Sequence, residues 1–85
     1  MKNIIKLYLK QSLNILAPKE IKAIRASYNC TQTDFAALLG ISYDTYRNWE
    51  IGHRIPCTPS NALLYFARDY PDIFLKKRKK LLKNR

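Results

Sequence analysis

Between Ala17 and Tyr28 the apolar residues fall at Ala17, Ile21, Ile24 and Tyr28, the three- and four-residue spacing of one helix face. Pro18 suits the first turn of that helix, where its missing N–H leaves no partner unserved. A second run, QTDFAALL (32–39), follows Thr31, whose hydroxyl can accept from a first-turn N–H. Asp34 sits near the positive end of that helix, and Gly40 offers a left-handed stop. A third run, YDTYRNWEI (43–51), follows Ser42 as cap and stops at Gly52. The connection HRIPCT leads to a fourth helix with Thr58 as cap, Pro59 as first residue, and Leu63, Phe66, Ala67 and Tyr70 as its stripe. A fifth, DIFLKKRKKLLK, begins after Pro71. Its apolar residues stand at the two ends with Lys76 to Lys80 between them, which predicts that the second half frays or needs a partner.

The first sixteen residues fit two patterns. Read as a helix, Lys2, Lys6 and Lys10 share one side while Ile5, Leu9, Leu13 and Leu16 share another. Read as a strand, Ile5, Leu7 and Leu9 alternate with Lys6, Tyr8 and Lys10. The helix is the preferred reading. An arm packed on the domain or on a second subunit suits this segment better than a membrane-surface helix, which would carry a larger apolar face. The chain thus divides into an N-terminal arm (1–16), a helical domain (17–75) and a basic tail (76–85).

Length and charge narrow the picture. A chain of 85 residues supports one small helical core and argues against a large enclosed active site. The formal charge of +10 points to an anionic partner. Seven of the sixteen basic residues lie in 76–85, however, and the rest of the chain sets nine basic against six acidic residues. The tail is either a solvated run or an extension of a phosphate-binding footprint, and Leu81 and Leu82 offer a docking alternative. Cys30 and Cys57 read as free thiols of a reducing cytoplasm, Cys30 as a small buried filler. Lys6, Lys10 and Gln11 interrupt any export leader at the start, and no stretch approaches the roughly 20 apolar residues of a membrane span.

The chemistry sits between the second and third helices. Two helices that cross steeply over a short turn need a residue free at positive φ, supplied by Gly40, and a small residue where they meet, supplied by Ala36. Ile41, Tyr46 and Trp49 pin the third helix from below. Tyr43, Asp44, Arg47 and Asn48 then point outward. His53, Cys57 and Cys30 make an incomplete ligand set with no fourth donor, so no metal or cofactor is expected. No third group orients a Cys–His pair, so an enzyme is not expected either. Glu50 reads as the structural partner of a basic residue on a neighbouring helix, such as Arg25.

The segment QTDFAALLG-IS-YDTYRNWEIGHRIP resembles the Xre-type, lambda-repressor-like helix-turn-helix family. With the preceding IKAIRASYNCT and the later ARDYPDIF it is similar to the DNA-binding domains of HigA- and MqsA-type antitoxins. The resemblance covers about residues 17 to 75 and rests on Gln32, Ala36, Gly40, Ile41, Trp49-Glu50, and Gly52 followed by a basic residue and Pro56. It implies an all-α, five-helix domain. In such proteins the glutamine opening the second helix contacts a phosphate and braces the recognition helix, a role that falls on Gln32. Ser42 would donate to a phosphate, and His53 and Arg54 fit the basic positions on the flanking backbone. Tyr43, Asp44, Arg47 and Asn48 match the base-reading positions. Arg47 suits guanine, Asn48 an adenine or a phosphate, and Tyr43 a thymine methyl; Asp44 either accepts from a cytosine amino group or orients Arg47.

The chain departs from the family at three points. Tyr46 stands where a smaller aliphatic residue is common. Ile51 replaces a polar residue near phosphate. MqsA-type proteins carry a zinc-binding domain ahead of this unit, and residues 1–17 hold no Cys pair for one.

One recognition helix sees too few base pairs for a unique site. The expectation is therefore a homodimeric repressor on an inverted-repeat operator in double-stranded DNA, with half-sites about 34 Å apart, autoregulating a small operon. The alternative is an antitoxin that neutralises a toxin protein, with DNA binding for autorepression. Packaging of nucleic acid by the tail alone is a third reading.

Overall fold

The computed structural model describes residues 14–76, and everything within them is helix or short connection. Four helices run Pro18–Ser27 (α1), Gln32–Leu39 (α2), Tyr43–Glu50 (α3) and Thr58–Asp69 (α4). A fifth (α5) is helical over 71–76 and leaves the described residues there. The choice between helix and strand for the arm, and the fraying of the tail, fall outside them.

Each start follows local chemistry. Pro18 is the first residue of α1, and the Ala17 N–H donates to Glu20 Oε1 at 3.0 Å. Thr31 caps α2 by accepting from the Asp34 N–H at 3.1 Å. Ser42 caps α3 by accepting from the Thr45 N–H at 3.2 Å. For α4 the expected cap moves back one residue. The N-cap is Cys57, because its carbonyl accepts the Asn61 N–H at 2.8 Å, which places Thr58 and Pro59 in the first turn. Pro71 is likewise inside α5 rather than before it.

The core gathers Leu16, Ile21, Ile24, Tyr28, Phe35, Leu38, Tyr46, Trp49, Leu64 and Phe66, with α1 packed on both α3 and α4 and α2 packed on α3. Aromatic rings run through it from Tyr28 to Phe35 (5.3 Å), Tyr46 (5.5 Å) and Trp49 (5.9 Å), in tilted and edge-to-face pairs that such quadrupoles favour. Cys30 is buried, as a filler should be.

Two apolar stripes sit differently from the periodicity. Ala17 is exposed, because it caps α1 instead of facing the core. On α4, Phe66 and Ala67 are buried as expected, but Leu63 is half-buried and Tyr70 is 39% exposed, while Leu64 is fully buried. The reason is where α1 lies: the Tyr28 hydroxyl donates to the Ala67 carbonyl, which turns the Leu64–Ala67 edge inward. Phe74 packs on Phe66 at 5.9 Å and holds α5 against α4.

Residues 14–16 are strapped to α4. Asn61, 2% exposed, accepts from the Leu16 N–H and donates to the Asn14 carbonyl, each at 3.0 Å, and Tyr65 donates to the same carbonyl at 2.9 Å. A buried amide meets its hydrogen-bonding needs this way, and Leu16 is set into the core.

Candidate nucleic-acid interface

The turn between α2 and α3 is built by Gly40, at φ 75° and ψ 28°. Its N–H donates to the Ala37 carbonyl at 3.1 Å, and the Ile41 N–H donates to the Ala36 carbonyl at 2.9 Å, the paired bonds of a Schellman stop. A Cβ on Gly40 would meet nothing within 4 Å, so the glycine serves backbone conformation and not space. Ala36 is 2% exposed at the junction, and Ile41 packs against the core. The second stop shares the left-handed glycine and one of these bonds. Gly52 stands at φ 80°, and the His53 N–H donates to the Asn48 carbonyl at 3.0 Å, joined by the Arg54 N–H at 3.2 Å. These bonds fold His53 and Arg54 back against the end of α3.

The two sides of α3 separate as the spacing predicts. Tyr46 and Trp49 are 0% and 4% exposed. Tyr43, Asp44 and Arg47 are exposed together, and Asn48 is half-buried beside them. Tyr46, the family departure, points inward. No ion pair joins Asp44 to Arg47 among the described residues. His53 and Arg54 are exposed just past the helix end.

Beneath α3 lies a charged node. Glu50, its side chain 4% exposed, accepts from Arg25 Nε at 2.7 Å and from Arg25 Nη2 at 3.2 Å. Gln32 Nε2 donates to Glu50 Oε1 at 3.0 Å, and the Tyr46 hydroxyl donates to Oε2. Arg25 Nη1 also donates to the Cys30 carbonyl at 2.9 Å, tying in the α1–α2 connection. The node therefore joins α1, α2 and α3. Burial works against the charged carboxylate of Glu50, but the bonds from Arg25, Tyr46 and Gln32 outweigh it and hold the group below the usual range. Arg25 is raised by its bond to Glu50, and Tyr46 is raised by burial first and by Glu50 second. Burial pushes Tyr28 up to about 12.

Residue by residue, Gln32 opens α2 half-buried with its amide on Glu50, so it braces α3 in the literal sense. Ser42 is exposed at the start of α3, and its hydroxyl donates to Thr45 Oγ1 at 2.8 Å. The sequence marks Thr45 only as a hydroxyl residue three positions after the Ser42 cap. The bonds from Gln32 and Tyr46 to Glu50 were also unforeseen, although Tyr46 and Glu50 stand at the i, i+4 spacing of helix neighbours.

This arrangement is a short helix held from beneath, entered through a glycine turn and offering a tyrosine, an aspartate and an arginine on its free side. Residues 21–56 match the family described as Helix-turn-helix. They form a helix-turn-helix domain of the Xre type. Over 60 residues the chain is 38% identical to Antitoxin HigA-2 of Vibrio cholerae serotype O1, an alignment covering 71% of this chain and 57% of that relative. The chain thus spans little more than half the length of that relative. The Xre-type helix-turn-helix is a DNA-binding unit, and the all-helical architecture around it is the lambda-repressor-like one. In this frame α2 is the supporting helix and α3 the recognition helix. No helix among the described residues is long and apolar enough to cross a membrane.

Proposed function

We propose that the chain is a sequence-specific transcriptional repressor that works in the cytoplasm as a homodimer on an inverted-repeat operator. The observation that carries this reading is the separation of the sides of α3: Tyr46 and Trp49 in the core, Tyr43, Asp44 and Arg47 free. A helix so held enters the major groove with its reading residues at fixed positions. Arg47 pairs with guanine, Tyr43 packs on a thymine methyl, Asp44 accepts from a cytosine amino group and Asn48 takes an adenine or a phosphate. Gln32, Ser42, His53 and Arg54 hold phosphates on either side, and the basic tail adds a sequence-independent contribution that fades with salt. Footprinting on the DNA upstream of the chain's own gene tests the reading. A protected inverted repeat with half-sites about one helical turn apart is expected; equal protection of all sequences would overturn it.

The likeness to Antitoxin HigA-2 favours a second reading, in which the chain also neutralises a toxin protein and represses its own operon with it. Co-expression with the product of a neighbouring gene separates the two. A stable stoichiometric complex supports the antitoxin, and a homodimer that binds its promoter without that partner supports the simple repressor.

A further inference from the structure

A carboxylate offers about four acceptor positions, two on each oxygen. In Glu50 all four are filled. Oε2 takes Arg25 Nε and the Tyr46 hydroxyl, and Oε1 takes Arg25 Nη2 and Gln32 Nε2. Of these donors only Gln32 comes from the first turn of α2, the helix that leads through the Gly40 turn into α3. Its amide has one N–H on Glu50 and a second N–H, on the same nitrogen, directed elsewhere. Which way that second N–H points depends on which carboxylate oxygen holds the first.

We infer that Tyr46 is a positioning residue for DNA binding: by occupying Glu50 Oε2 it leaves Oε1 as the acceptor for Gln32 and so fixes the free amide N–H of Gln32 for a phosphate. The inference rests on the DNA-binding reading and adds to it a residue that never touches DNA. Tyr46 is fully buried, and an aliphatic side chain there would fill space without engaging the carboxylate. Removing its hydroxyl opens a position on a buried, charged oxygen. The carboxylate then has an open acceptor position on its second oxygen, and occupancy no longer assigns the Gln32 amide to Oε1 alone.

The test uses the full chain, a random-sequence DNA duplex at low salt and the Tyr46→Phe variant, which keeps the ring. Tyr46→Phe is expected to weaken binding about three- to tenfold, the scale of one hydrogen bond, and Gln32→Ala to weaken it similarly. The Gln32→Ala penalty should vanish in the Tyr46→Phe background, a coupling that loss of packing alone would not produce. Without DNA, the Gln32 side-chain amide resonances should shift and broaden in Tyr46→Phe. Additive penalties, or Gln32 resonances unchanged in Tyr46→Phe, would overturn the inference. Should the Phe variant not fold, the wild-type chain alone decides: one sharp pair of Gln32 side-chain amide resonances supports a fixed orientation, and a pair broadened by exchange overturns it. A wild-type chain that binds no duplex would defeat the DNA-binding reading itself, whereas the Gln32 resonances report on Tyr46 independently.

Discussion

On its inner side α3 carries Tyr46 and Trp49, buried, and Glu50, its side chain turned in, joined through rings and hydrogen bonds to α1 and α2; on its outer side Tyr43, Asp44 and Arg47 stand in solvent. The inner residues have several partners each, so a change there is felt across three helices. The outer side chains have no hydrogen bond or ion pair within the described residues to lose, so their identity is free to follow a ligand. On the proposed function, stability and recognition are divided between two sides of one eight-residue helix.

The largest effect should come from the inner side. Glu50→Ala leaves Arg25, 18% exposed, facing an empty acceptor site and frees both Gln32 and Tyr46. Losing one member of a mostly buried pair costs about 3–5 kcal/mol, which denaturant melts would show as a large drop in midpoint. A loss below about 0.5 kcal/mol would place the node among ordinary surface pairs. Next comes the turn that sets the helix at its angle. Gly40→Val should cost about 1–2 kcal/mol from left-handed backbone strain alone, because a side chain there meets open space. An unchanged melting temperature would remove the turn from the comparison.

Acid gives a smaller, graded test. The folded chain holds Glu50 below its ordinary value of 4.5, so its contribution is whole above that pH and is lost as pH falls through the lower folded-state value. Stability should decline on acidification below about pH 4.5, and Glu50→Gln, less stable at neutral pH, should show a flatter decline. Parallel pH profiles for the two proteins would deny Glu50 this role.

Much of this division is legible in the sequence, for local reasons. Thr31, Ser42, Gly40 and Gly52 mark helix ends by chemistry that acts within four residues, and α2 and α3 fall where those residues put them. The pairing of Glu50 with Arg25 was also readable, since a charge on a buried helix side needs a partner. The α4 stripe was misplaced because Leu63 and Leu64 are adjacent and both apolar, so two helical registers fit and only the position of α1 chooses between them. Thr58 has the better capping side chain, but the backbone bond from the Asn61 N–H puts the cap of α4 one residue earlier, at Cys57. The bonds of Gln32 to Glu50 and of Asn61 to Asn14 and Leu16 span 18 to 47 positions, and they depend on how helices cross. The exposure of Tyr43, Asp44 and Arg47 follows from the helical period; their proposed roles at bases follow from the resemblance.

The most direct measurement compares wild type and Arg47→Ala on the footprinted operator and on random duplex DNA, with melting curves for both proteins. Arg47 is exposed and the described residues give it no ion pair, so the melting temperature should stay put, while operator binding loses about 1–3 kcal/mol per affected half-site. Random DNA should lose far less. Equal losses on operator and random DNA would contradict a reading role for the outer side of α3.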